Sequence, residues 1–155
     1  MRILFATGNR HKVSEASEIL SHLGYEVDQL LIHGQVPELI EPQAEGIEEV
    51  AISKVMQARD LVIGTELEDS IILAEDSGLF IDSLRGFPGP FSSYVEGTIG
   101  LSGILNLIPP ESGREAEFRA IAAVYIEGEI LTGTGICSGV ISREISGEMG
   151  FGYDP

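Results

Sequence analysis

Two lysines and a scatter of carboxylates are the residues of this chain whose types and places suit phosphate chemistry. The nine basic residues comprise seven arginines and two lysines, Lys12 and Lys54. Lys12 falls in the first turn of a helix introduced by "TGNRHK", where a cation opposes the helix dipole unless an anion sits there. The same segment joins the carboxyl end of a strand to a helix start, so free backbone N–H groups favour an anion, and Gly8 lets the backbone approach it. The plainer account is an ordinary cap, with Asn9 accepting from the first turn, since the spacing is neither a Walker A loop nor GxGxxG. Lys54 lies seven residues after Ile47, and four and three after Val50 and Ala51, on the apolar stripe of its helix. A lysine there either snorkels out to water or meets an anion. In a chain this acidic the two together suggest a local positive site for a polyphosphate.

The acids fall in two places. Glu75 and Asp76 end a strand and begin a turn, a usual place for catalytic groups in an open α/β sheet. Strand alternation starts them on opposite faces, which argues against a matched pair acting on one atom. The alternative is turn chemistry, with Asp76 folding back on the Ser77-Gly78 amides. Glu38, Glu41, Glu45, Glu48 and Glu49 gather before a helix, where most complement its N-terminus as a solvated face. One of them is suited to a hard cation, because Mg²⁺ takes one or two carboxylates and completes its shell with water and phosphate oxygens. Lysines for phosphate, acids for Mg²⁺ and the aromatics of "GFGYDP" for a base would make a nucleoside triphosphate site.

The elements that must hold these residues alternate early and form a hairpin late. A strand at Ile3 to Ala6 leads into a helix bearing Val13, Ala16, Ile19, Leu20 and Leu23 on one face, ended by Gly24. A strand at Glu26 to Ile32 and a Pro-containing loop precede a helix from Ile47 to Val62, with Ile47, Val50, Ala51, Val55, Ala58, Leu61 and Val62 apolar. A buried strand from Ser70 to Glu75, a turn at Asp76-Ser77-Gly78 and a short strand from Leu79 to Ile81 follow. The loop "RGFPGPFSSY" leads to a helix around Ile99 to Ile108, stopped by Pro109-Pro110. Strands at Ala116 to Ile126 and Ile130 to Ile141 flank a hairpin turn at Glu127-Gly128. The fold class expected is α/β, a mixed central β-sheet flanked by helices, in one domain over 1–155.

Composition narrows the function. With 155 residues, 43% of them hydrophobic, the chain can bury a core. A net charge of −16 argues against binding a nucleic-acid polymer or an anionic membrane surface. Cys137 is the single cysteine, so no intramolecular disulfide or cysteine zinc cage can form, and His11, His22 and His33 lack metal-ligand spacing. A reducing cytoplasm suits such a chain.

The ordered segments "FATGNRHKVSE", "EPQAEGIEEVAISKVMQAR", "EDSGLFIDSLRGFPGPFSSY" and "GFGYDP" resemble the inosine triphosphate pyrophosphatase, or Ham1, family over essentially the whole chain. The resemblance implies that Thr7, Asn9 and Lys12 contact the triphosphate and that Lys54 also neutralises it, with Gly8 and Ser77 in the same substrate site. It implies that Glu41 and Asp76 hold Mg²⁺ or activate the attacking water, Glu38 being the lesser candidate, and we assign Glu75 as an auxiliary base. Phe151 matches the base-stacking aromatic, and Gly152, Tyr153 and Asp154 lie in the same base-binding loop. The implied reaction is Mg²⁺-dependent attack of water on the α-phosphorus of ITP, dITP or XTP, giving a nucleoside monophosphate and pyrophosphate, by a cytoplasmic homodimer.

The family pattern continues past "GFGYDP" with a strand and a lysine followed by Ser-His-Arg, which read the purine edge. The expectation is therefore a chain truncated at its C-terminus, lacking a final strand and helix and weaker in base selection. Two other readings stay open: a truncated chain that binds nucleotide without turnover, and a Maf-like pyrophosphatase of different base preference. The stretch from Leu84 to Gly97 is the least legible, with a dimer contact and a lid as its two candidate roles.

Overall fold

The computed structural model describes residues 1–44, 46–147 and 152–154. Five strands and three helices follow in the order β1 (Arg2–Phe5), α1 (Arg10–Ser21), β2 (Glu26–Gln29), α2 (Ile47–Val62), β3 (Ile71–Ile81), α3 (Ser92–Leu107), β4 (Glu115–Ile126) and β5 (Glu129–Val140). Two short 3₁₀ turns, Asp82–Leu84 and Gly89–Phe91, lie between β3 and α3. The strands form one sheet in the order β2-β1-β3-β4-β5. β1 is parallel to both β2 and β3, with Ile3 opposite Val27 and Ile71. β4 and β5 are neighbours joined through Glu127 and Gly128 alone, so they run antiparallel, and both turn residues have the positive φ that a tight hairpin demands. The sheet is mixed and the fold is α/β, as expected.

The chain divides into two compact units. The first comprises Met1–Ala44, Glu48–Asp76 and Ile121–Gly133, and the second Glu45–Ile47, Ser77–Ala120 and Thr134–Pro155. In the first, strand parity sorts the core. Ile3, Phe5, Val27 and Leu73 cluster with Val13, Ala16 and Leu20 of α1. Leu4, Ile72 and Ala74 are the alternate residues and are buried on the opposite face. Val50, Ala51, Val55 and Ala58 of α2 are buried as well. α2 follows the apolar stripe to its ends, with Glu48 and Glu49 in its first turn and Arg59 in its last to suit the dipole. In the second unit Leu79, Ile81, Val95, Ile104, Ile108 and Ala116 form a separate core. There Arg114 Nε donates to the Ile141 carbonyl at 2.8 Å, and the Ile141 amide donates to the Arg114 carbonyl at 2.8 Å, tying the ends of β4 and β5 together.

Several local expectations change. The turn expected at Asp76-Ser77-Gly78 is absent, and β3 runs unbroken from Ile71 to Ile81. Gly78 serves a close approach of backbone: a Cβ there would run into the Gly89 carbonyl. The Leu79 amide donates to Ser92 Oγ at 2.8 Å, and that hydroxyl donates to the same Gly89 carbonyl at 2.6 Å. Ile19 and Leu23 are exposed, because α1 meets the sheet along Val13, Ala16 and Leu20 alone. Leu61 of α2 is exposed as well. α3 begins at Ser92, seven residues earlier than its apolar pattern suggests, and Gly100 breaks it with a non-helical φ of 65°. No helix among the described residues is long and apolar enough to cross a membrane.

Candidate functional site

The carboxyl end of β1 sets the first part of the site. After Phe5 the chain leaves the sheet, and Thr7 Oγ1 accepts from the Asn9 amide at 3.1 Å. Asn9 then caps α1, its Oδ1 accepting from the amides of His11 at 2.9 Å and Lys12 at 3.4 Å. The capping reading of Asn9 is therefore correct. It also presents Lys12 from the first turn of α1 toward β3, where its Nζ lies 2.5 Å from Glu75 Oε2. Gln29 of β2 holds the turn from outside, its Nε2 donating to the Thr7 carbonyl at 2.7 Å.

The second part hangs on α2. Lys54, on the buried stripe, meets anions instead of snorkelling: its Nζ lies 2.7 Å from Asp76 Oδ1 and 2.6 Å from Glu41 Oε1. Asp76 is 8% exposed and comes from the strand, whereas the Glu41 side chain is 61% exposed and comes from the loop before α2. Glu75 and Asp76 do point to opposite faces, one taken by the lysine of α1 and the other by the lysine of α2. Among the described residues Glu38 shows no comparable contact, and Glu48 accepts from Thr132 at 3.2 Å.

Burial sets the electrostatics. It raises the Asp76 carboxyl; Lys54 then pulls it down, Glu41 pushes it up and Lys12 pulls it down, and the balance stays above the usual aspartate value. Burial alone would lower Lys54, but its hydrogen bonds to Asp76 and Glu41 and their charges outweigh that and hold it above the usual lysine value. Among the described residues three carboxylates thus face two ammonium groups.

Among the described residues no group of three or more metal-ligating side chains gathers in one place. The donor set that does exist is two carboxylate oxygens converging on one cation, the Lys54 ammonium. That arrangement fits a hard divalent ion of the Mg²⁺ kind, which takes few protein ligands and fills its shell with water and phosphate oxygens.

Thr7, Gly8, Asn9, Lys12, Glu41, Lys54, Glu75 and Asp76 all belong to the first unit, and Ser77, Gly152, Tyr153 and Asp154 to the second. Phe151 lies outside the described residues, as does Glu45. Tyr153 is tied into its own unit: its hydroxyl donates to the Ser92 carbonyl at 2.8 Å and its ring meets Phe118 edge-on, with centroids 6.0 Å apart. Burial, and after it the charge of Glu96, push that hydroxyl up to about 12. Sequence reasoning missed Gln29 and Gln57. Gln57 Nε2 donates to the Ile40 carbonyl and its Oε1 accepts from the Ile40 amide, both at 2.8 Å. A glutamine three residues after Lys54 was the available signal, and nothing in its spacing set it apart from a solvated helix face.

The Ham1 family model matches residues 3–155. The dITP/XTP pyrophosphatase of Methanopyrus kandleri is 43% identical over 100% of this chain and 77% of its own length. That of Pyrococcus horikoshii is 41% identical over 100% and 77%. A HAM1 protein structure from Coxiella burnetii superposes with a TM-score of 0.83 at 30% identity, covering all of this chain and 80% of the other. The Staphylococcus aureus Ham1 protein superposes with a TM-score of 0.80 at 27% identity, over 100% and 79%. The chain belongs to the Ham1 family.

Proposed function

We propose that the chain is a Mg²⁺-dependent pyrophosphatase of non-canonical purine nucleoside triphosphates, taking ITP, dITP and XTP to the monophosphate and pyrophosphate. The observation that carries the reading is the Lys54 ammonium shared between Glu41 and Asp76, with Lys12 held at Glu75 beside the capped turn of α1. Three acids against two lysines repel a polyphosphate unless the acids first accept a cation. A bound Mg²⁺ would be held by Glu41 and Asp76, and it would neutralise phosphate charge and polarise the phosphoryl group. The names of the relatives support dITP and XTP as substrates.

In this reading Lys12 and Lys54 exchange their carboxylates for phosphate oxygens as substrate enters, while Thr7, Gly8 and the first amides of α1 cradle the chain of phosphates. Asp76, raised above the usual aspartate range, is a stronger base than an ordinary carboxylate and takes the proton of the attacking water, with Glu75 as auxiliary base. Phosphoryl substitution asks mostly for charge neutralisation and positioning, which these residues can supply. Ser77 extends the substrate contacts. Phe151 stacks on the base, Gly152 and Asp154 border it, and Tyr153 anchors that loop through Ser92. A cytoplasmic homodimer completes the reading, and light scattering at twice the chain mass checks the dimer.

The test is pyrophosphate release with Mg²⁺ from ITP, XTP, dITP, GTP and ATP in ¹⁸O water. Expected are release from the first three, little from the last two, and label in the monophosphate. Tight binding of XTP without release would replace the enzyme with a nucleotide binder. Label in pyrophosphate would move the attack off the α-phosphorus.

A further inference from the structure

We propose that Gln57 is a positioning residue for Glu41, setting the reach of the loop carboxylate toward the cation shared with Asp76 by clamping the backbone of Ile40. The proposal rests on the reading of Glu41 and Asp76 as metal-holding acids.

Glu41 needs a fixed anchor and has little of its own. Its side chain is largely exposed, and the residue before it, Ile40, is 77% exposed, so side-chain burial does not pin this point of the loop. What does pin it is a two-point clamp. Both polar backbone groups of Ile40 are engaged by one amide, the N–H by Gln57 Oε1 and the carbonyl by Gln57 Nε2, each at 2.8 Å. Two opposed hydrogen bonds from one rigid planar group fix both the position and the rotation of a peptide, as a single bond does not.

The clamp is itself held. Gln57 Nε2 also lies 3.1 Å from Ser53 Oγ and donates to the Ser53 carbonyl at 3.3 Å, one turn back on α2. That crowd of acceptors fixes which end of the amide points where. Gln57 and Lys54 are three residues apart and so lie on one face of the helix. The helix therefore holds Ile40 with one side chain and receives the Glu41 carboxylate with the next, so a shift of the loop would carry Glu41 away from Lys54 and Asp76 together. An amide is required: glutamate at 57 keeps an acceptor for the Ile40 amide but sets a carboxylate against the Ile40 carbonyl, and leucine offers neither bond.

Three measurements on the full chain test this, with Gln57→Leu and Gln57→Glu as separate variants so that misfolding of one does not decide the matter. Hydrogen exchange at the Ile40 amide should accelerate about tenfold or more in Gln57→Leu, a loss typical of a freed loop amide. Mg²⁺ half-saturation of pyrophosphate release should rise about 10- to 100-fold, the usual cost of removing a group that orients a metal ligand, with kcat at saturating Mg²⁺ within about twofold. In a Glu41→Gln background the Gln57 substitution should add less than about twofold, since both act through one carboxylate. Unchanged Ile40 exchange, or losses that multiply in the double variant, would overturn the proposal. Exchange needs no turnover, so an inactive wild-type chain with a fast-exchanging Ile40 variant would sink the enzyme reading and leave the clamp standing.

Discussion

The two lysines solve one problem in two ways. Lys12 stands in the first turn of α1 and answers the Glu75 carboxylate, with a quarter of its side chain still exposed. Lys54 stands mid-helix on the apolar stripe of α2, half as exposed, and answers two, Asp76 and Glu41. At Lys12 the pair is somewhat less buried, with its two side chains 25% and 16% exposed. At Lys54 a buried aspartate depends on the ammonium, so the lysine is part of the fold as well as part of the site. In the proposed reading this contrast puts the cation at the Lys54 end, where two acids from different elements meet, and the phosphates at the Lys12 end.

The largest effect should come from the buried acid. Asp76→Asn keeps the volume and, in the proposed mechanism, removes the base and one metal-holding carboxylate, so pyrophosphate release should fall about 100- to 1,000-fold or more, the range for loss of one preorganised charge-stabilising group. Glu75→Gln should cost far less if Glu75 is only auxiliary. Equal losses in the two variants would erase the asymmetry between the two ends.

Next comes stability. Lys54→Met strands Asp76 in a buried place, and such a break costs about 3–5 kcal/mol, so urea melts should show a loss of that order. Lys12→Met breaks a pair whose side chains are 25% and 16% exposed, against 12% and 11% for Lys54 and Asp76, and should cost less than Lys54→Met. Comparable melting shifts would show that the two lysines are equally structural.

That ranking also shows why parts of the site were legible before the fold. A lysine on an apolar stripe is a local contradiction, and local contradictions survive in a sequence. The α2 boundaries and the Glu127-Gly128 hairpin were legible for the matching reason that stripe, charges and turn residues all agree there. Gly78 was misread because a glycine after acid and serine signals a turn, whereas its use is room for the Gly89 carbonyl, a contact with a residue eleven positions on. α3 was half missed because its first turns carry serines, one buried Val95 and a glycine, too few apolar positions to show a period. Gln57 and Gln29 were invisible because each acts on a backbone group far along the chain, and backbone groups carry no residue type to read.

The pH response should separate the ends again, more gently. The Lys54 ammonium is held above the ordinary value of 10.5, so the stability it contributes is complete below about pH 10.5 and is lost as pH rises through its higher folded value. The difference in unfolding free energy between wild type and Lys54→Met should therefore be flat from neutrality to pH 10 and close above it. Asp76 works in the opposite sense: its carboxyl is raised by burial, so its ionisation is a cost to the folded state that disappears as pH falls through that raised value. Relative to Asp76→Asn, wild type should gain stability on the acid side. A Lys54 gap that instead widens above about pH 10 would reverse the direction assigned to Lys54, and a wild type that loses stability relative to Asp76→Asn on the acid side would reverse that assigned to Asp76.

The smallest effect tests the second unit by itself. Tyr153→Phe removes the hydroxyl that donates to the Ser92 carbonyl but leaves the ring against Phe118 and the core around Leu79 and Ile104. A carbonyl left without that donor, with packing intact, predicts a loss of about 0.5–1.5 kcal/mol. Because burial and Glu96 push the phenol up to about 12, it stays protonated through the working range, and the loss should be the same at pH 6 and pH 9. If Tyr153 only anchors its loop, kcat at the phosphate end stays at the wild-type value while KM for XTP changes little. A KM for XTP raised tenfold without a change in melting would mean that the hydroxyl meets the base, and the division of labour between Phe151 and Tyr153 would have to be exchanged.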